Sequence, residues 1–157
     1  MSRHSLALPD LEAARRFGAA LAPVLAAGDV IALSGDLGAG KTTLARAVLA
    51  ALGLDEEAPS PTFTIVQTYD APPLRLPVWH VDLYRLETPE DAVELGLDEA
   101  AGDAALLIEW PERLGDLMPP DRLWLTLTPT VDGGRRLTVD APGAWDKRLA
   151  SLFPVAE

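Results

Sequence analysis

The hydrophobic residues of the chain fall into short apolar runs and amphipathic segments, and these predict its strands and helices. Short apolar runs, which are typical of strands buried in a parallel sheet, occupy residues 30–35 and 105–110. The alternating, β-branched segment 63–69 and the segment 76–84 predict two further strands. Residues 5–8 predict a shorter one.

Amphipathic spacing and capping residues predict the helices. Asp10 is suited to cap a first helix, and a second helix predicted over residues 42–52 has Gly53 just past its end. Two more helices are predicted over residues 88–97 and 145–153. The apolar face of the first helix would carry Leu11, Ala14, Phe17, Leu21 and Leu25.

The C-terminal part of the chain predicts a β-hairpin, because the segments 123–130 and 135–141 flank the turn sequence VDGG at 131–134. The N-terminal part has the order strand, loop, helix. The two parts together predict an α/β fold with a mixed sheet, in which parallel core strands meet an antiparallel C-terminal hairpin and helices flank the sheet. We expect residues 1–157 to form a single domain of this kind.

The composition argues against several classes of function. The chain has no cysteine, which excludes disulfides, thiolate metal sites and cysteine nucleophiles. It has no apolar run of about 20 residues, and Pro9 and Asp10 interrupt its N-terminal apolar segment, so we expect a cytoplasmic protein without membrane contact. Twenty-four acidic residues against thirteen basic ones give a net charge of −11, so unaided tight binding of RNA or DNA is not expected.

A phosphate-binding motif lies between the first apolar strand and the second helix. Residues 35–42 fit the pattern G-x-x-x-x-G-K-[ST], whose glycines let backbone N–H groups approach a triphosphate. Lys41 would neutralise the β- and γ-phosphates, Thr42 would bind Mg²⁺, and Thr43 would lie near the α-phosphate. The alternative is a flexible glycine turn, but the flanking strand and helix favour a P-loop NTPase fold that binds ATP or ADP with Mg²⁺.

Such a loop also needs a carboxylate at the end of a neighbouring strand, and two residues qualify. Asp82 and Glu109 each end an apolar stretch, although either can be a solvated strand end. Spacing leaves open which of them contacts the metal and which orients the attacking water. His80 shares a strand face with Asp82, and we expect it to be a packed residue rather than a ligand.

A second loop carries hydroxyl groups at Ser60, Thr62 and Thr64 around a proline. Hydroxyls on a mobile loop beside a γ-phosphate can report whether ATP or ADP is bound. An ordinary hydroxyl-rich turn is the alternative interpretation.

Four stretches of the chain together resemble the bacterial TsaE (YjeE) family. They are residues 35–46, 60–69, 80–86 and 108–114, in matching order and spacing. The resemblance implies a small ATPase of tRNA threonylcarbamoyladenosine (t6A) synthesis that has low activity alone. It implies TsaD and TsaB as partners, which transfer the threonylcarbamoyl group to adenosine 37. The protein would then contact tRNA only through the complex.

The resemblance also implies roles for individual residues. Glu109 would sit at Mg²⁺, Asp82 would be needed for hydrolysis, and Trp110 would lie beside the site. Lys41, Asp82 and Glu109 then form the catalytic set, and Thr42, Asp82 and Glu109 the metal set. The regions 9–11 and 134–135 would flank the adenine. The expected nucleotide contacts are Leu11, Asp36, Leu37, Gly38, Ala39, Gly40, Lys41, Thr42, Thr43, Thr62, Gly134 and Arg135.

Residues 87–103 contain seven acidic side chains and no basic one. If the segment is helical, it holds like-charge pairs four residues apart, which are mildly destabilising. We interpret it as a surface that docks against a basic partner, with an ordinary solvated face as the alternative.

Two other functions fit a phosphate loop. A small P-loop kinase would transfer the γ-phosphate to a nucleoside or metabolite, with Arg85 or Arg113 as a single phosphate clamp. A nucleotide-binding module without turnover would not need Asp82 for its function. The order of the motifs favours the partner-dependent ATPase over both.

Overall fold

One mixed sheet of seven strands forms the centre of the computed structural model, which describes residues 2–36, 38–54, 66–150 and 152. The strands lie side by side in the order β1-β7-β6-β2-β5-β4-β3. Their bounds are β1 Ser2–Leu8, β2 Val30–Ser34, β3 Val66–Tyr69, β4 Val78–Asp82, β5 Ala105–Glu109, β6 Leu123–Pro129 and β7 Arg135–Ala141.

The centre of the sheet is parallel and its edges are antiparallel. Strand β2 pairs in parallel with β5 and β6, and β5 also pairs in parallel with β4. Antiparallel pairs join β3 to β4, β6 to β7 and β7 to β1. Every residue of β2 and β5 is buried, as expected for strands covered on both faces. The predicted mixed sheet with a parallel core and a C-terminal hairpin is therefore confirmed.

Helices α1 (Leu11–Leu21) and α2 (Lys41–Leu52) cover one face of the sheet and pack closely on each other. Asp10 caps α1, since its Oδ1 accepts the N–H of Ala13 at 2.9 Å. The helices approach closely at Gly18, where a Cβ atom would lie 2.7 Å from the carbonyl carbon of Ala47. A larger residue at 18 would push the two helices apart.

Two residues assigned to the buried face of α1 do not belong there. Leu11 is 50% exposed and stands at the first position of the helix, outside the set of buried residues of α1. Leu25 is buried, but it lies beyond a 3₁₀ turn over Ala22–Val24 that follows α1. The turn contains Pro23, which has no N–H group to continue an α-helix.

The opposite face of the sheet is covered by short helical pieces. They are the 3₁₀ segments Pro89–Leu95 and Pro111–Leu117, together with α3 (Leu97–Ala100). The single helix predicted over residues 88–97 is wrong, because Gly96 has φ 75° and separates the first 3₁₀ segment from α3. This left-handed conformation ends a helical segment at little cost in a glycine.

The two ends of the chain also differ from the prediction. Strand β1 begins at Ser2 rather than at residue 5, because it pairs with β7 along its full length. In place of the helix predicted over residues 145–153, the described residues form a 3₁₀ turn over Gly143–Trp145 and the four-residue α4, Asp146–Leu149, while residues 151 and 153 lie outside the described part of the chain. Residues 63–65 of one predicted strand lie outside the described residues. Within the described ranges, no helix has the length and apolar character that a membrane span requires.

Candidate functional site

The phosphate loop lies at the carboxyl end of β2 and leads into α2. Gly35, Gly38 and Gly40 have φ values of 144°, 78° and 103°, which favour glycine. At Gly35 a Cβ atom would lie 2.7 Å from the carbonyl oxygen of Leu127 in β6. The loop therefore has a backbone conformation at these three positions that larger residues rarely adopt, and it leads to the N-terminus of α2 at a cleft.

This phosphate cleft has a volume of about 240 Å³. Strand β4 contributes Asp82, and β5 contributes Glu109, which is the direct neighbour of Asp82 in the parallel register. The structure thus brings both predicted carboxylates to the phosphate loop. The lining residues are Gly38, Ala39, Gly40, Lys41, Thr42, Thr43, Asp82, Glu109 and Trp110.

Lys41 is held inside the loop. Its Nζ donates to the carbonyl oxygens of Gly35 and Asp36, the latter at 3.0 Å, and lies 4.0 Å from the centre of the Trp110 ring. Burial lowers the pKa of Lys41, while nearby carboxylates, with Glu109 foremost, oppose that shift. The cation is therefore placed among loop carbonyls and an aromatic face, where it lines the cleft.

Thr42 and Glu109 form a pair of oxygen-bearing side chains. The Thr42 Oγ1 lies 2.9 Å from each carboxylate oxygen of Glu109, so its hydroxyl can donate to either. Glu109 is 2% exposed, and an unpaired buried carboxylate would be costly. Its contacts to neighbouring side chains offset this cost.

His80 supplies the second contact of Glu109. The imidazole is fully buried, and its Nε2 lies 2.6 Å from Glu109 Oε2. Its Nδ1 has no hydrogen-bond partner among the described residues. This arrangement favours the tautomer in which Nε2–H donates to the carboxylate, since the other tautomer would leave a buried donor unpaired.

Asp82 is held differently from Glu109. Its Oδ1 accepts the N–H of Tyr84 at 2.9 Å, and the side chain is only partly buried. Burial raises the pKa of Asp82, and the negative charge of Glu109 raises it further, against the effect of the Tyr84 N–H. The two neighbouring carboxylates therefore have distinct surroundings: Glu109 faces Thr42 and His80, and Asp82 faces the cleft.

Trp110 closes one side of the cleft in an uncommon backbone conformation. It has φ 59° and ψ 50°, a left-handed conformation, and Pro111 follows it. Such conformations in bulky residues persist where the surroundings enforce them. Here the backbone N–H of Trp110 donates to the carbonyl oxygen of Leu33 at 3.3 Å. The centre of the Trp110 ring lies 4.9 Å from the centre of the Tyr84 ring.

A second cleft of about 230 Å³ adjoins the first and shares Ala39, Gly40 and Thr43 with it. Its far walls come from residues 8–11, at the junction of β1 and α1, and from residues 133–135, at the start of β7. The structure thus brings together the two regions that the sequence offered as flanks of an adenine. Gly134 is essential to this approach, because its Cβ would lie 2.9 Å from the Cα of Pro9.

Arg135 connects the hairpin to the phosphate loop. Its guanidinium donates to the carbonyl oxygens of Ala39 at 2.8 Å and Gly38 at 2.9 Å, and to that of Gly134 at 3.0 Å. The planar, charged group is well suited to hold several acceptors at once. Arg135 therefore fixes the backbone of the loop and also lines the second cleft.

Comparison with known proteins assigns the family. The family model described as "Threonylcarbamoyl adenosine biosynthesis protein TsaE" matches residues 8–137. The chain belongs to the TsaE family. It is 41% identical over 138 residues to the tRNA threonylcarbamoyladenosine biosynthesis protein TsaE of Streptomyces coelicolor, a match that covers 82% of this chain and 90% of the relative.

Two further comparisons extend this result. The protein of the same name from Treponema pallidum is 37% identical over 125 residues, which cover 79% of this chain and 90% of the relative. The crystal structure of Bacillus subtilis YdiB has a TM-score of 0.79 and 28% identity, and the match covers 96% of this chain and 94% of YdiB. The TsaE family fold thus extends over almost the whole chain.

The remaining predicted site residues of this TsaE family chain fall into three groups. Leu37, Ser60, Thr62 and Thr64 lie outside the described residues. Leu11 lines the second cleft, and Asp36 reaches the site through its carbonyl oxygen, which accepts from Lys41. Neither Arg85 nor Arg113 is among the described residues that line the phosphate cleft.

Besides the hydrogen bonds of Arg135 to the loop carbonyls, three further contacts among the described residues of the TsaE family site were not predicted from the sequence. They are the hydrogen bond of His80 to Glu109, the contact of Lys41 with the Trp110 ring, and a hydrogen bond from the Ser34 hydroxyl to Glu112. A signal existed for the first, because His80 and Asp82 share a strand face and Glu109 ends a strand that can pair with theirs. The other two depend on the turn at Trp110, which no local pattern indicates.

The donor set of the TsaE family site fits Mg²⁺. The Thr42 hydroxyl and the carboxylates of Glu109 and Asp82 are hard oxygen ligands, which this ion prefers. Within the described ranges, no group of three or more His, Asp or Glu residues could hold a metal ion. Mg²⁺ commonly takes one or two protein carboxylates and completes its coordination with substrate phosphates and water, so this small donor set is compatible with the ion.

We expect His80→Phe to weaken binding of Mg²⁺ to the nucleotide complex by about 10- to 100-fold, because Glu109 loses the partner that orients it. A calorimetric titration of Mg²⁺ into the protein in the presence of ADP measures this affinity. His4→Phe is the matched control, since His4 lies in β1 at the far edge of the sheet. Unchanged Mg²⁺ affinity in His80→Phe would reduce His80 to a packing role.

Proposed function

We propose that this chain is an accessory ATPase of tRNA t6A modification, which binds and hydrolyses Mg²⁺-ATP and acts on a TsaD–TsaB complex rather than on tRNA alone. The observation that carries the proposal is the convergence of Lys41, Thr42, Asp82 and Glu109 at a glycine loop. Family membership and the names of the relatives supply the pathway.

The two joined clefts suggest how the nucleotide lies. The phosphates would run along residues 35–43, with backbone N–H groups and the N-terminus of α2 facing them. The base would enter the second cleft, against Leu11 and Gly134. Arg135 would act from behind the loop, because it holds the carbonyl groups of Gly38 and Ala39 away from the phosphates.

The side chains around the γ-phosphate would divide the work of hydrolysis. Lys41 would leave its loop carbonyls to contact the β- and γ-phosphates, and Thr42 with Glu109 would hold Mg²⁺, which supplies positive charge to the phosphate oxygens when bound. Asp82, beside Glu109 and open to the cleft, would orient the attacking water. Its contact with the Tyr84 N–H keeps the carboxylate in place.

The charge distribution supports action on a protein rather than on RNA. Eleven of the 24 acidic residues lie within residues 87–121, where Arg113 is the single basic residue. An RNA backbone would be repelled from this part of the chain. The threonylcarbamoyl transfer itself would then belong to the partner proteins, with tRNA bound through the complex.

The test is the rate of Mg²⁺-ATP hydrolysis by the purified chain, with and without purified TsaD–TsaB, with Lys41→Ala as the blank. We expect hydrolysis that is slow alone, at least about tenfold faster with the partners, and about 10²- to 10³-fold slower in the variant than in the unaltered chain. Equal rates in both conditions would instead favour the kinase, and a search for a phosphate acceptor would follow. Formation of t6A by the chain without partners would overturn the proposal.

A further inference from the structure

A narrow apolar groove opens on the face of the sheet opposite to α1 and α2. It has a volume of about 70 Å³ and runs between α3 and the segment Pro111–Leu117. Val30, Leu106 and Ile108 of the central strands form its floor, and all three are buried in the core.

The groove exists because the cover on this face is thin. Both faces of a parallel sheet are normally covered by α-helices, but here a four-residue α3 and two 3₁₀ segments take their place. Val93 and Leu117 line the groove and are 64% and 47% exposed. Apolar side chains that are exposed beside an apolar groove are typical of an interaction site.

The segments on one side of this groove carry exposed acidic side chains, and Asp98 among them lines the groove. Glu90, Asp91, Glu94 and Asp98 are all exposed on the segments that form one of its sides. Residues 87–121 hold eleven acids and one base, whereas the rest of the chain holds thirteen acids and twelve bases. Nearly all of the net charge of −11 therefore belongs to the part of the chain that builds the groove and the adjoining end of β5.

The groove is also joined to the nucleotide site. Ile108 of its floor precedes Glu109 in β5, and Leu114 and Leu117 belong to the segment that begins directly after Trp110. Within the same segment Glu112 accepts the hydroxyl of Ser34, the last residue of β2 before the phosphate loop. A partner that displaces the groove side of this segment would therefore shift Trp110, Glu112 and Glu109 through few intervening residues.

We propose that the groove docks a protein surface in which an apolar side chain stands among lysine and arginine residues, and that docking there stimulates ATP hydrolysis. The apolar floor favours an apolar side chain of the partner, and the acidic residues beside the groove favour the partner's lysine and arginine residues. The inference rests on the proposed function, since it takes the TsaD–TsaB complex as the occupant. An RNA occupant is disfavoured, because its phosphates would face the acidic residues.

Two variants separate the two parts of this surface. Glu90→Lys/Glu94→Lys reverses the charge beside the groove, and Val93→Asp removes an apolar contact while adding a negative charge. Val93 is exposed, so its replacement leaves the core intact. The control is Glu12→Lys/Asp70→Lys, which makes the same change of charge at exposed positions away from the groove.

The measurement is the affinity of each chain for purified TsaD–TsaB by calorimetry, together with the rate of hydrolysis with and without these partners at a fixed partner concentration. We expect both groove variants to lose about tenfold or more in affinity and to keep the unstimulated rate, while the control binds like the unaltered chain. A purely electrostatic attraction predicts tighter binding by Val93→Asp, and that result would overturn the role of the groove.

Other outcomes separate this inference from the proposed function. If the unaltered chain binds TsaD–TsaB and both groove variants bind equally well, the inference is wrong and the proposed function stands. If the unaltered chain does not bind TsaD–TsaB at all, both fail. Binding of tRNA alone that Val93→Asp weakens would assign the groove to RNA and overturn the inference.

Discussion

Replacement of Lys41 by alanine is expected to lower the rate of ATP hydrolysis by about 10²- to 10³-fold, which is the effect of removing one preorganised charged donor from a developing negative charge. Lys41 is the cation that lies between the phosphate loop and the Trp110 ring, with its ammonium group already inside the cleft. A steady-state assay of phosphate release in the presence of the partner complex measures the loss.

The chain offers a matched control, because Lys147 is its other lysine and lies exposed in α4. Lys147→Ala should hydrolyse ATP at the rate of the unaltered chain. Thermal unfolding of both variants checks that the loop still folds, since Lys41 also donates to the carbonyl oxygen of Gly35. Full activity in Lys41→Ala would place hydrolysis outside this loop.

The second large effect is expected from Glu109→Gln, which keeps the size of the side chain and removes its charge. Both oxygens of Glu109 face the Thr42 hydroxyl, so the variant removes negative charge from the position where Mg²⁺ would bind. We expect hydrolysis to fall by about 10²- to 10³-fold and the binding of ADP to become insensitive to Mg²⁺.

Asp82→Asn is the informative comparison. Asp82 lies beside Glu109 in the sheet but contacts the Tyr84 N–H instead of Thr42. This variant should lose hydrolysis while its affinity for ADP keeps the dependence on Mg²⁺, as measured by calorimetry at several Mg²⁺ concentrations. If Asp82→Asn loses the Mg²⁺ dependence and Glu109→Gln keeps it, the two roles are the reverse of those proposed.

Strands and the phosphate loop were predictable because their signals are local. The apolar runs at 30–35 and 105–110 became the buried strands β2 and β5. The glycines of residues 35–42 gave the loop. The VDGG turn predicted the hairpin of β6 and β7, and hence the antiparallel pairing at that edge of the sheet.

The helical cover of the second face was not predictable to the same degree. The segment 88–97 has a cap and helical spacing, but the conformation of Gly96 depends on how α3 packs against β5. The extension of β1 to Ser2 likewise depends on its pairing with β7, which is remote in sequence. Tertiary contacts decide both cases, and single-segment patterns do not contain them.

The candidate site was predictable as a set of residues and not as a network. Sequence alone placed Lys41, Thr42, Asp82 and Glu109 near one another, because strand ends meet at one edge of a parallel sheet. It did not place His80 against Glu109 or Arg135 against the loop carbonyls. These contacts join elements that are remote in the chain, and only the register of the sheet and the path of the hairpin bring them together.

The hydrogen bonds of Arg135 also bear on the order in which the molecule is assembled. They join the hairpin to carbonyl groups 96 and 97 positions earlier in the chain. Contacts between such remote positions form slowly, since a long loop must close before they are made. On the ribosome the phosphate loop emerges well before the strand that fixes it. The nascent chain therefore carries its nucleotide motif long before it has a nucleotide site.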